Sequence, residues 1–188
     1  MMNRESILRA FPELEQMTDK GLEELTINTW LQAVEESGAS EEEFFNTLCH
    51  KSLKECPVTL VGHTRGVMQL AIKVAEQFIQ DFSKYISLNM DYVISAACIH
   101  DVGKMYEHMR DEDGNITWAA KNLHHPITGA ALALRMGIPP EIVFAIANHS
   151  HEGDAVKSTP LLYVIRMADD QYFRYLFFGF EKSGKTSW

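Results

Sequence analysis

Tyr92-Val93-Ile94-Ser95-Ala96-Ala97-Cys98-Ile99-His100-Asp101-Val102-Gly103-Lys104 is the stretch that decides how this chain reads. The run up to Ile99 is apolar almost throughout, so a helix over 91–101 is predicted to be central and buried nearly all round. It ends on a histidine and a carboxylate side by side. Buried polar groups without partners are costly, and a metal ion is the partner that accepts both imidazole and carboxylate.

Outward from this pair, almost every segment reads as helix. Residues 19–37 carry Leu22, Leu25, Trp30, Leu31 and Val34 at helical spacing, with Gly38 as a stop. Residues 40–54 read as a short acidic helix or turn, and Pro57 punctuates the chain. Residues 58–82 form a strong amphipathic pattern, with His63, Val67, Leu70, Val74 and Phe78 on one face. Residues 105–122 hold a turn signature at 111–115, compatible with a small β-hairpin or an ordered loop. Helices then follow over 126–136, stopping at Gly137, over 140–150, and over 160–176, with Thr159 as cap and Pro160 in the first turn. The expected fold is all-α: a single helical bundle of about seven to nine helices with an N-terminal helical cap. The expected organisation is accessory helices over 1–56, a core over 57–176 and a loosely attached tail over 177–188.

Composition narrows the function. A chain of 188 residues with 46% hydrophobic residues suits one domain with a real core. The net charge of -9, from 17 basic and 26 acidic residues, argues against long nucleic acid as the main partner. It leaves room for a small anionic substrate held by metal and local cations. No stretch approaches the ~20 apolar residues of a membrane span, and no signal-peptide core is present over 1–11, so a cytoplasmic protein without membrane attachment is expected. A homodimer is compatible with the chain. Cys49, Cys56 and Cys98 match no zinc or redox spacing and read as buried or free thiols.

The His and Asp residues fall on the inward faces of these helices. His63 lies on the apolar stripe of its helix, His149 shares a face with Ile142 and Ile146, and Asp169 shares one with Leu162, Ile165 and Tyr172. His125 sits at a helix start, where Gly129 and Ala130 allow close packing. A lone histidine on an apolar face is usually a satisfied core residue. Four histidines and two aspartates on separate inward faces, one pair adjacent, point instead to a metal site.

The order His63, His100-Asp101, His125, His149, Asp169 resembles the HD-domain superfamily of metal-dependent hydrolases over about residues 58–175. The specific parts are His100-Asp101-Val102-Gly103-Lys104, the His125-Pro-x-x-Gly-Ala stretch, Ala145-Ile146-Ala147-Asn148-His149 and Ala168-Asp169. The resemblance implies that His63, His100, Asp101 and Asp169 hold one metal ion. The pair His125 and His149 is similar to the binuclear branch, in which Asp101 bridges two ions, commonly iron or manganese. Imidazole and carboxylate donors are also compatible with nickel, cobalt, zinc and magnesium. The implied reaction is hydrolysis of a small, nucleotide-like phosphate ester or anhydride through a metal-bound hydroxide.

Lys104 is expected to neutralise a substrate phosphate, or else to be a helix C-terminal cation. Arg65 is a weaker candidate for the same contact. His124 and His151 neighbour ligands and are candidate substrate-binding or proton-donating groups, and His151 is an alternative ligand to His149. No Gly-Tyr-Pro follows His149-Ser150-His151-Glu152, and Gly103-Lys104 stand where alarmone hydrolases carry Glu-Asp, so neither of those subgroups is indicated. The chain looks more like small stand-alone bacterial members that act on nucleotides or dinucleoside polyphosphates. A di-iron oxygenase and a non-catalytic ligand-sensing domain are the competing functions. Gly179 to Thr186 matches a phosphate-loop pattern, but only Ser187 and Trp188 follow it, too few for the helix that pattern needs.

Overall fold

The structure, a computed structural model, describes residues 2–49 and 58–181. Cys56, His50 and most of the phosphate-loop match lie outside those residues. Among the described residues the chain forms nine α-helices: α1 Arg4–Ala10, α2 Lys20–Ser37, α3 Glu41–Asn46, α4 Leu60–Phe82, α5 Met90–Ile99, α6 Trp118–Asn122, α7 His125–Arg135, α8 Pro140–Asn148 and α9 Pro160–Glu181. The expected all-α bundle is what forms. Two isolated bridges, Leu48 with Thr59 and Arg110 with Ile116, are the β pairing among the described residues.

Local chemistry sets the helix boundaries. Asp19, Ser40, Thr59, Asn89 and Thr117 each accept a backbone N–H in the first turn of α2, α3, α4, α5 and α6, which satisfies donors that a helix N-terminus leaves orphaned. Gly38 and Gly137 sit at φ 70 and φ 83 just past α2 and α7, left-handed positions where glycine carries no Cβ penalty. Of the two forms expected for 105–122, the ordered loop is what forms, with the single antiparallel bridge Arg110–Ile116 across it. Val102–His108 is a 3-10 helix, after which Asp111 Oδ1 accepts from the amides of Asp113 and Asn115 and closes a tight turn. The side-chain bonds of Asp111 compete with strand pairing there. α9 runs past the boundary expected at 176, to Glu181.

α5 is the spine. Val93 through Ile99 are buried without a break, as the apolar run requires. α4 crosses it with a face slightly rotated from the expected stripe: His63, Thr64, Val67, Met68, Ala71, Ile72 and Ala75 are buried, while Leu70, Val74 and Phe78 are only partly covered. The rotation follows from α9 lying along the same helix. A Cβ on Gly66 would collide with the Tyr172 ring, so that ring of α9 lies directly on the α4 backbone.

The N-terminal helices are continuous with this core. Phe11, Trp30 and Phe44 form an aromatic cluster with ring centroids 5.3 to 6.3 Å apart. Such pairs add about 0.5–1.5 kcal/mol beyond area burial. Trp30 Nε1 donates to the Cys98 carbonyl at 3.1 Å, and Thr26 Oγ1 lies 2.7 Å from Ser95 Oγ. Asp91, at the start of α5, accepts from Thr18 N, Thr18 Oγ1 and Asp19 N. The segment expected as an accessory cap thus holds α5 at both ends.

Gly103 marks the tightest joint. A Cβ there would strike the His125 carbonyl and come within 2.7 Å of the Gly129 amide nitrogen. Both obstacles are backbone and cannot rotate away. Gly103→Ala is expected to lower stability by about 1–3 kcal/mol, read as a lower denaturation midpoint at unchanged slope. An unshifted midpoint would show that the 3-10 helix and α7 are not packed as described.

Candidate metal centre

The ends of four helices meet around Asp101, and a fifth passes beside it. His63 comes from the first turn of α4, His100 follows α5, His125 opens α7, His149 follows α8, and Asp169 lies in α9. His63, His100, Asp101 and His149 are buried. The cluster is partly accessible, the side chains of His125 and Asp169 being 19% and 20% exposed.

Asp101 presents a different oxygen to each half of the cluster. Oδ2 lies 3.3 Å from His63 Nε2 and 3.4 Å from His100 Nε2. Oδ1 lies 3.2 Å from His125 Nε2 and 3.6 Å from His149 Nε2. Asp169 Oδ1 joins the first half, 3.1 Å from His63 Nε2 and 3.8 Å from His100 Nε2. His125 Nε2 and His149 Nε2 are 3.3 Å apart.

Backbone geometry orients the rings. The last carbonyls of a helix have no partner within it. His100 Nδ1 donates to the Ala97 carbonyl at 2.8 Å, and His149 Nδ1 donates to the Ile146 carbonyl at 2.7 Å. Each bond spans three residues, so a histidine just past a helix end completes that helix and turns its Nε2 lone pair inward. His125 Nδ1 faces Glu107 Oε1 at 3.2 Å with the same consequence. An acceptor on one ring nitrogen that leaves the other free is the usual support for a metal-ligating histidine.

Two of the inward nitrogens make no hydrogen bond within the protein, although carboxylate oxygens lie 3.1 Å from one and 3.4 Å from the other. His100 Nε2 and both ring nitrogens of His63 are buried without a hydrogen bond, a costly state for polar atoms away from water. A donor set of imidazole nitrogens and carboxylate oxygens, with no thiolate, suits a first-row divalent ion. The residues therefore fit a metal. His63, His100 and Asp169 form one close group of candidate ligands, and His100, Asp101 and His149 another.

The charges fit the same picture. Burial would push the Asp101 carboxyl up, but the Lys104 ammonium and the rings of His100 and His125 hold it well below the usual carboxylate range. Burial alone would lower the Lys104 pKa, and the facing Asp101 raises it instead. For His63, burial is outweighed by Asp101 and Asp169, which raise its pKa.

All four expected substrate contacts, Lys104, Arg65, His124 and His151, have partners within the protein. Lys104 Nζ donates to Asp101 Oδ2 at 2.7 Å and to the Cys49 carbonyl at 3.0 Å. It lies against the Asp101 carboxylate because the 3-10 turn puts residue 104 three positions after 101 on the same side. Arg65 donates to Glu13 Oε1 at 2.9 Å, drawn to a buried carboxylate of the N-terminal layer. His149 and not His151 enters the cluster; His151 is 68% exposed and sits with His124 around Glu152. Glu107 escaped the sequence reading. It lies in a stretch read as loop, and no spacing rule ties it to His125.

The profile described as HD domain matches residues 60–170. The chain is 30% identical over 113 residues to a dihydroneopterin 2',3'-cyclic phosphate phosphodiesterase of Methanocaldococcus jannaschii. That alignment covers 59% of this chain and 45% of the relative, so the chain spans less than half the length of the relative it matches. No solved structure matches the chain significantly.

Lys104 should matter most when no metal is bound. Lys104→Met leaves Asp101 buried beside imidazoles without its ammonium, a loss expected to cost about 3–5 kcal/mol of stability in chelator. Added Mn2+ should recover part of that loss by supplying positive charge at the same carboxylate. Urea unfolding with and without the ion reads both effects. Equal stability of variant and parent in chelator would show that the Lys104–Asp101 pair carries no net energy.

Proposed function

Because the chain belongs to the HD domain family, we propose that it is a metal-dependent phosphohydrolase acting on a small, nucleotide-like phosphate ester or anhydride. The observation that carries this reading is the division of labour at Asp101. Its Oδ2 faces His63 and His100, and its Oδ1 faces His125 and His149.

In this reading His63, His100, Asp101 and Asp169 would hold one ion, and Asp101, His125 and His149 a second, with iron or manganese first among candidates. Such ions supply Lewis acidity toward a phosphoryl oxygen and lower the pKa of water. The protein's own groups do the rest. Lys104 keeps Asp101 ionised, so that carboxylate is available as a ligand at neutral pH. Glu107 and the Ala97 and Ile146 carbonyls fix three rings with Nε2 inward. Burial would push the Asp169 carboxyl up, but His63 and the His100 ring hold it below the usual carboxylate range, so it too is available as a ligand. The partly exposed side of His125 is where a phosphate would enter.

The archaeal relative is named for a cyclic phosphodiester of a pterin. A five-membered cyclic phosphate on a ribose-like diol is therefore the first substrate class to try, alongside linear nucleotide esters and anhydrides. Full-length protein purified without added metal should contain about two equivalents of metal, one of them lost in His125→Ala, and should release product from a phosphodiester panel. Metal-free wild-type protein that binds no added divalent ion would sink the reading. Oxygen consumption with ferrous iron and no phosphate-ester cleavage would replace it with an oxygenase.

A further inference from the structure

A second group of metal-type ligands stands at the rim of the cleft, separate from the buried cluster. His124 caps α7 immediately before His125. His151 and Glu152 lie in the 3-10 helix His151–Gly153 that follows α8. His124 Nδ1 is 2.8 Å from Glu152 Oε1, and His151 Nδ1 is 3.4 Å from Glu152 Oε2. The two rings meet edge-on with centroids 5.5 Å apart. One ligand atom of each residue falls within 4.8 Å of the others.

We propose that His124, His151 and Glu152 form a further binding site for a borderline divalent ion such as Zn2+, Co2+ or Ni2+. An ordinary surface ion pair accounts for only half of this arrangement. The bond from His124 satisfies Glu152 Oε1, but Glu152 Oε2 is buried and makes no hydrogen bond of normal geometry, with only the exposed His151 ring facing it at 3.4 Å. A carboxylate oxygen closed off from water and facing an imidazole nitrogen is the donor pair a borderline ion takes. The two rings come from different elements and are mostly exposed, so coordination positions stay open toward solvent and substrate. None of the three residues is needed by the buried cluster.

The use of such an ion rests on the phosphohydrolase reading. The chain carries a net charge of -9, and an anionic substrate must approach it. The cations expected to receive a phosphate are engaged elsewhere, Lys104 by Asp101 and Arg65 by Glu13. An ion held there would place positive charge at the partly exposed side of His125.

The test is titration of metal-stripped full-length protein with Co2+, followed by visible absorption and calorimetry. Wild type should show a weaker equivalent beyond those of the buried cluster. His124→Ala and Glu152→Gln should each weaken it by roughly tenfold or more, while His63→Ala, which damages the buried cluster, should keep it. Thermal melts of the two rim variants, whose histidine is exposed, confirm that they fold. Absence of the weaker equivalent in wild type, or its unchanged affinity in both rim variants, would overturn the proposal. A rim equivalent in a protein that cleaves no phosphate ester would leave the site standing and remove the phosphohydrolase reading instead.

Discussion

A carboxylate with both oxygens out of water is the constraint around which this protein is built. Isolating such a charge costs several kcal/mol even after relaxation, and Asp101 is 1% exposed. The fold answers with an ammonium at 2.7 Å and four imidazoles divided between the two oxygens. Those imidazoles belong to four helices. Keeping Asp101 ionised therefore requires α4, α5, α7 and α8 to end at one point, and α9 to pass beside it. The bundle's geometry follows from this convergence as much as from its apolar faces.

Two of the converging ends use the same device. A histidine one residue past α5, and another one residue past α8, bonds the carbonyl three residues back. The bond removes an orphan acceptor from the helix and sets the ring's tautomer in one step. At α5 the next carbonyl, Cys98, is taken by Trp30 from the N-terminal layer. That indole reaches α5 only because Phe11 and Phe44 pack against it. The aromatic cluster thus bears on the position of His100 through a chain of contacts that begins in α1.

Much of this was legible in the sequence. An apolar run ending on His100-Asp101 can be placed only in a core, and residue identity at a helix end is local information. The same holds for His149, whose face is shared with Ile142 and Ile146. What escaped was set by tertiary approach. The face of α4 rotates because α9 packs at Gly66, a fact of two helices and not of one. Lys104 reads as a free cation until the 3-10 turn sets it against Asp101. Arg65 reads as a surface charge until Glu13, from a segment with no recognisable role, is buried next to it. Glu107 carries no pattern, because a carboxylate that orients a ring from outside can come from any element that passes.

The division between Lys104 and the histidines bears on how such a centre survives without its ions. Imidazoles with buried, unbonded nitrogens favour metal strongly and destabilise the metal-free fold by the same token. A protein stabilised by ions alone would be unfolded until loaded. Here the Asp101 carboxylate has a resident cation, Lys104, that does not depend on metal supply. The N-terminal layer and α5 bury a continuous apolar core away from the cluster. Metal-independent stability and metal affinity are thus assigned to different residues. The ring nitrogens of His63 and His100 can stay without hydrogen bonds because Lys104 and the apolar core, not an ion, stabilise the metal-free fold.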